Sequence, residues 1–165
     1  MESERDKRER LISLFEDVET VMLVTRSMDG QLRGRPMGLA EVQPDGTIYF
    51  NTSMDSGKVP EIAANPEVAV VLQQKTRWAS ISGHAEVVKD AQLVDRLWRE
   101  SWRVWFPEGK NDPHLCLIHL EPTSGEYWDS SGSKGITFVI EAARAYLGGR
   151  EYDASDARVN ERVDL

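Results

Sequence analysis

The stretch Gly46-Thr-Ile-Tyr-Phe-Asn-Thr-Ser-Met-Asp-Ser-Gly-Lys-Val-Pro-Glu-Ile-Ala-Ala-Asn-Pro66 decides how the rest of the chain is read. Ile48, Tyr49 and Phe50 carry the β-branched and aromatic side chains that suit a pleated, half-buried surface, so the stretch starts as a strand. It then passes into small polar residues: Asn51, Thr52 and Ser53, followed by Asp55, Ser56, Gly57 and Lys58. From about residue 56 to 64 the pattern turns helical, with Val59, Ile62 and Ala63 at helical spacing, and Asn65-Pro66 ends it. A strand leading through hydroxyls and a glycine to a lysine in the first helical turn suits an anion. Free backbone N–H groups point outward there, hydroxyls add donors and the ammonium adds charge. The same residues also read as an ordinary capped helix, with Ser56 as the cap and Lys58 in solvent. Residue chemistry alone leaves both readings open.

Upstream, Pro44-Asp-Gly46 is a tight turn from a strand spanning Gln31 to Val42, and Ser27-Met-Asp-Gly30 is a turn of the Asp-Gly kind. Before it, Val21-Met-Leu-Val-Thr25 is an apolar run that reads as a buried strand. Residues about 4 to 17 form an amphipathic helix with Leu11, Ile12, Leu14 and Phe15 as its stripe and Ser3 as N-cap. Downstream, Glu67 to Leu72 is a strongly apolar strand. Arg77 to Val88 alternates, with Trp78, Ser80, Ser82 and His84 on one face and Ala79, Ile81, Gly83 and Ala85 on the other.

Asp90 caps a predicted helix reaching about Trp105, which places Trp98 and Trp102 four apart on one face. Phe106 to Pro113 is a loop, and His114 to Trp128 returns to extended structure, with Leu115 to Leu120 its buried half. Ser133 caps a last helix through Leu147, ended by Gly148-Gly149, although Ile136-Thr-Phe-Val-Ile140 also suits a strand. The polar tail beyond Gly149 is expected to be loose unless it docks on a partner. Five or six antiparallel strands with short helices predict a mainly β (α+β) fold, a small closed or partly closed barrel. One domain over residues 1–165 is expected, with a charged N-terminal helix and a polar C-terminal tail.

The net charge of −8 argues against general binding to nucleic acid or an anionic membrane, while leaving room for a local basic pocket. Cys116 is the single cysteine, which excludes an internal disulfide or a multi-cysteine metal site. No apolar run approaches the roughly 20 residues that span a bilayer, and Met1 to Arg10 lacks the apolar core of a secretion signal. A cytoplasmic protein without membrane association is expected. His114 and His119 would point to opposite faces of one strand, so no metal site is predicted. No Ser-His-Asp or Cys-His pattern suggests a hydrolase, and no side chain is named as a catalytic acid or base.

The ordered set Arg35-Pro-Met37, Tyr49 to Lys58, Ala63-Ala-Asn-Pro66, Trp78 to Glu86, Trp105-Phe-Pro107 and Glu126-Tyr-Trp-Asp129 resembles the pyridoxamine 5'-phosphate oxidase-like superfamily of FMN-binding split barrels. Within it, the likeness is to the bacterial general stress protein 26 group. The resemblance covers roughly residues 8 to 148 and implies a homodimer with flavin in the cleft between subunits. It implies that Ser56 and Lys58 hold the FMN phosphate with Thr52 and Ser53 nearby, and that Arg35 approaches the flavin and its phosphate tail. The backbone of Pro36 and Met37 would lie against the isoalloxazine ring. Asn51, Trp78 and Ser80 join the cofactor-binding candidates, and Trp105 and Trp128 are candidates for ligand or interface contact, tryptophan being suited to stacking on a flat heterocycle.

The activity implied is flavin-dependent oxidoreduction with a small-molecule redox partner. The alternatives are a flavin-binding stress sensor or buffer, or use of FAD or deazaflavin F420 in the same cleft. One departure stands out: the tail Asp156 to Leu165 has no histidine, so the arginine–histidine pair that reads substrate phosphate in true pyridoxamine-phosphate oxidases is missing. Vitamin B6 oxidation is not expected.

Overall fold

A computed structural model describes residues 3–131, 148 and 160–165. Helix α1 (Glu4–Glu16) precedes strands β1 (Thr20–Arg26), β2 (Leu32–Val42) and β3 (Ile48–Ser53), then helix α2 (Lys58–Ala64). Strands β4 (Glu67–Gln74) and β5 (Arg77–Val88) follow, then helix α3 (Ala91–Leu97), a 3-10 turn at Glu100–Val104, β6 (Leu115–Asp129) and β7 (Asn160–Asp164). The strands run in the order β3-β2-β1-β4-β5-β6, and β3 pairs with β6 to close a six-stranded antiparallel barrel; β7 adds to β6. Closure removes the open sheet edges that would otherwise invite pairing with other chains. No helix among the described residues is long and apolar enough to cross a membrane.

Alternation along the strands fills the barrel. Val21 and Leu23, Val70 and Leu72, Ala79 and Ile81, and Ile118 and Leu120 share one core with Phe50, and α1 seals its side with Leu11, Leu14 and Phe15. As read from the sequence, Ser3 caps α1, forming a capping box with Asp6. A second, smaller cluster joins Val94, Leu97, Trp102 and Phe106 to Leu115 and Leu117 on the outside of the barrel. That explains why Leu115 to Ile118 is apolar without alternation: β6 is covered on both faces there. Gly30 and Gly46, at φ +84 and +91, take the left-handed turn positions that glycine adopts without steric cost. A Cβ at Gly83 would run into the Glu121 carbonyl, beside the bulge where β5 and β6 shift register.

Four expectations need correction. The helix from Asp90 does not reach Trp105: Trp98 is extended (ψ 134), and the chain resumes as a 3-10 turn. The break directs both Leu97 and Trp102 into the second cluster, and Arg99 donates to the Ala40 carbonyl. Trp98 and Trp102 still meet, edge to face at 5.7 Å between ring centroids, but across the break and not along one helix. The apolar run Val21 to Thr25 is buried on one face only, with Met22 41% exposed. Part of the tail is ordered against its own chain: β7 buries Val163 in the barrel core, and Arg8 donates to the Asp164 carbonyl. Finally, Ser56 is not the cap of α2; Gly57 stands at that position without a side-chain bond. The predicted helix Ser133 to Leu147 lies outside the described residues.

Candidate functional site

Strands β2 and β3 are hydrogen-bonded neighbours with a register shift between Leu39 and Glu41, and the turn after β3 delivers the start of α2 beside them. A cleft of about 410 Å³ lies where these elements meet the end of the 3-10 turn. The candidates Pro36, Met37, Asn51, Thr52, Ser53, Ser56, Lys58 and Trp105 all line it. Gly38 and Phe106 complete the lining and were not among the candidates. Phe106 sits within the Trp105-Phe-Pro107 motif but reads as loop; only its burial in the second cluster shows which way it faces.

Lys58 dominates the electrostatics. Its side chain is folded back into the protein, with the residue only 9% exposed. The ammonium Nζ donates to Thr52 Oγ1 at 3.0 Å and to Ser56 Oγ at 2.5 Å, so its hydrogen-bond partners among the described residues are hydroxyls. Burial, reinforced by the neighbouring Arg35 charge, pushes its pKa below the usual lysine range, while Cys116 and Glu61 oppose that shift. A buried ammonium hydrogen-bonded to neutral oxygens, with burial disfavouring its charged form, is the kind of cation that a nearby anion would stabilise. The solvated-lysine reading of the sequence is therefore incorrect.

Arg35 is placed differently from its cleft neighbours Pro36 and Met37. It turns to the end of the barrel, where Nη2 lies 2.7 Å from Glu61 Oε2 and 2.8 Å from Oε1, and Nη1 donates to Thr25 Oγ1 at 2.6 Å. Thr25 in turn donates to Glu61 Oε2 at 2.7 Å, closing a three-residue network from β1, β2 and α2. Burial alone would raise the Glu61 carboxyl; the hydrogen bonds from Thr25 and Arg35 outweigh it and hold the pKa below the usual range. Glu61 was not among the candidates read from the sequence. Its position three residues after Lys58, on the same face, was the available signal.

Trp78, Ser80 and Trp128 lie outside the cleft lining. Trp78 pairs with Trp128 and Ser80 with Glu126 across β5 and β6, and their side chains fall on the outward face of the barrel. Met22 and Val71, also paired, continue that face across β1 and β4, and Met22 pairs on its other side with Pro36 at the cleft. Met22, Val71 and Trp78 are each roughly two-fifths exposed, a partly apolar wall running from the cleft around the barrel. Trp105 stands at the cleft rim, 76% exposed. Behind the lysine, Cys116 is fully buried and directs Sγ to the Thr52 carbonyl; burial pushes its thiol up, which makes it a packing residue.

Comparison with known proteins bears on this geometry. The family model described as pyridoxamine 5'-phosphate oxidase like matches residues 6–153. General stress protein 26 of Bacillus subtilis is 33% identical over 81 residues, which cover 46% of this chain and 57% of that protein. Protein bli-3 of Neurospora crassa is 29% identical over 142 residues, 78% of this chain and 67% of that protein. Among solved structures, a general stress protein 26 from Jannaschia sp. CCS1 superposes with a TM-score of 0.72 at 27% identity, covering 99% of this chain and 100% of that one. The general stress FMN/FAD binding protein of Xanthomonas citri gives a TM-score of 0.64 at 30% identity, over 79% of this chain and 90% of that one. Barrel, cleft and α2 all fall inside the matched span, and the chain belongs to the pyridoxamine 5'-phosphate oxidase like family.

Proposed function

We propose that the cleft binds a flavin nucleotide, FMN in the first instance, through its phosphate at Lys58. The observation that carries this reading is the buried Lys58 ammonium, whose hydrogen-bond partners among the described residues are the Thr52 and Ser56 hydroxyls. A dianionic phosphate provides the missing charge, and the hydroxyls can turn to donate to it. Ser53 and Asn51 lie along the same wall, and Pro36 and Met37 supply a strand edge for a flat ring, with Trp105 at the rim. Bound flavin would supply reversible electron transfer, while the chain's task is to hold and orient it. Lys58 is the only titratable side chain among the described residues lining the cleft, so the wall has no carboxylate or imidazole to move a proton at the ring. That observation favours a second reading alongside oxidoreduction of a small substrate: carriage or sensing of flavin without turnover.

The site is proposed to be completed by a second copy of the chain. The cleft is near the lower limit of small-ligand pockets, about 300 to 1,000 Å³, and is open on one side. The apolar face bearing Met22, Val71 and Trp78 starts at that opening. A partner seated there would cover it and bring Trp78, Ser80 and Trp128 to the same interface.

Flavin titration of the purified protein, followed by fluorescence quenching, tests the reading. FMN should saturate in the micromolar range or tighter, about tenfold or more ahead of riboflavin. The lack of saturable binding of FMN, FAD or the deazaflavin would end the cofactor assignment. Light scattering should return about twice the 18.7 kDa chain mass, and a monomer that binds at full strength would refute the shared site.

A further inference from the structure

The buried carboxylate of Glu61 has no place in the cleft wall, yet it is bonded to Arg35, the strand neighbour of the cleft residues Pro36 and Met37, and sits on the same helix as Lys58. Lys58 and Glu61 are one turn apart on α2, and Arg35 reaches α2 from β2. The side chain of Glu61 is 8% exposed and that of Arg35 26%, so the carboxylate is buried and the arginine keeps partial access to solvent. Both carboxylate oxygens and the Thr25 hydroxyl are engaged by this one network. Such a closed set of charge-assisted bonds fixes a planar fork in one orientation. The contacts engage Nη1 with Thr25 and Nη2 with Glu61, while a guanidinium carries five N–H donors in all.

We propose that Glu61 is a positioning residue for the phosphate end of the cleft: with Thr25 it locks the Arg35 fork beside Lys58, so that phosphate meets two prearranged cations. The proposal rests on the flavin-phosphate reading above. It differs from a simple competition, in which Glu61 would neutralise Arg35 and hinder the phosphate. It differs too from a purely structural ion pair, which would support ring and phosphate binding alike. Glu61 also acts on Lys58 through space. The titratable groups around the ammonium are Arg35 from β2, Cys116 from β6 and Glu61 from α2 itself, and Glu61 is the carboxylate among them that favours the charged form.

The test is a double-mutant cycle read as the ratio of riboflavin to FMN dissociation constants, with flavin fluorescence as the probe. Wild type should prefer FMN, and Glu61→Gln should reduce that preference about tenfold while leaving riboflavin affinity within a factor of about three. In an Arg35→Met background the same Glu61→Gln change should have little further effect on the ratio at a pH where Lys58 stays charged. Thr25→Val, which keeps the shape and removes the hydroxyl, should give a smaller loss of the same kind, and it keeps the test decisive if Glu61→Gln fails to fold. Because Lys58 loses its charge as pH rises, the preference should decline with rising pH, and in Glu61→Gln the decline should come at lower pH. An increase in FMN preference in Glu61→Gln overturns the proposal in favour of competition; equal loss of both ligands overturns it in favour of a structural pair. A wild type without FMN preference overturns the phosphate reading, and this proposal with it. A wild-type preference that survives Glu61→Gln overturns this proposal alone.

Discussion

Two hollows among the described residues differ in make-up. The groove between the end of α1, the end of β2 and α3 encloses about 640 Å³, against about 410 Å³ for the cleft at α2. The larger groove holds Arg96 and Arg99, but Arg96 forks onto Glu41 at 2.6 and 3.0 Å, and Arg99 donates to the Ala40 carbonyl at 2.8 Å. Glu16 and Glu19 add negative charge to its wall. Its cations are exposed, paired and outnumbered. In the smaller cleft, Lys58 is buried and bonded to hydroxyls, and its charge is disfavoured by burial. Volume therefore does not single out the proposed anion site; the state of the cation does.

Substitutions can break or sharpen that contrast. The largest effect is expected for Arg35→Ala, which strands the Glu61 carboxylate in a buried position with the Thr25 hydroxyl. Loss of one partner of such a pair should lower stability by about 3 kcal/mol in urea unfolding, and FMN affinity should fall about ten- to a hundredfold. Unchanged stability would mean that Arg35 and Glu61 are not coupled in solution. Lys58→Met comes next and should separate stability from binding. FMN should weaken by about ten- to a hundredfold with riboflavin little changed, while the apoprotein is at least as stable as wild type, because a poorly compensated buried charge is gone. The sign follows from linkage. With its folded pKa below 10.5, Lys58 binds more proton in the unfolded chain, so wild-type apoprotein gains stability as pH rises between the two values. Lys58→Met should lack that rise; a marked loss of stability would show the lysine to be structural. The smallest effect belongs to the larger groove. Arg96→Ala breaks an ion pair whose side chains are 49% and 28% exposed, and should cost less than about 1 kcal/mol with no change in flavin affinity. An FMN loss in Arg96→Ala would overturn the assignment of the anion site to the α2 cleft.

The same contrast shows what was legible in the chain. The stripe Leu11, Ile12, Leu14 and Phe15 and the alternation Ala79, Ile81, Gly83 and Ala85 were readable because periodicity marks a buried face directly. The polar run from Asn51 to Lys58 was recognisable as an anion-binding candidate because its residue types are local to one turn. The break at Trp98 was not, since Leu97, Trp98 and Trp102 keep helical spacing through it. Nor was β7, where a single apolar residue, Val163, docks a polar segment. The run Val21 to Thr25 reads as a buried strand and Glu67 to Leu72 as a strongly apolar one, while Met22 and Val71 are partly exposed in the single chain. Composition records that a face is apolar and is silent on what covers it.

By itself the sequence determined the antiparallel strands, the helix that seals the barrel, and the hydroxyl-rich turn ahead of Lys58. Those are matters of local periodicity and turn chemistry, carried within a few residues. Tertiary structure alone decided that Lys58 is buried, that Arg35 is turned away from Pro36 and Met37 toward Glu61, and that Trp78, Ser80 and Trp128 stand on the outer face. Arg35 and Glu61 are 26 residues apart, and β3 closes on β6 across more than sixty. Burial and charge pairing arise from contacts between such distant segments, and no local pattern encodes them.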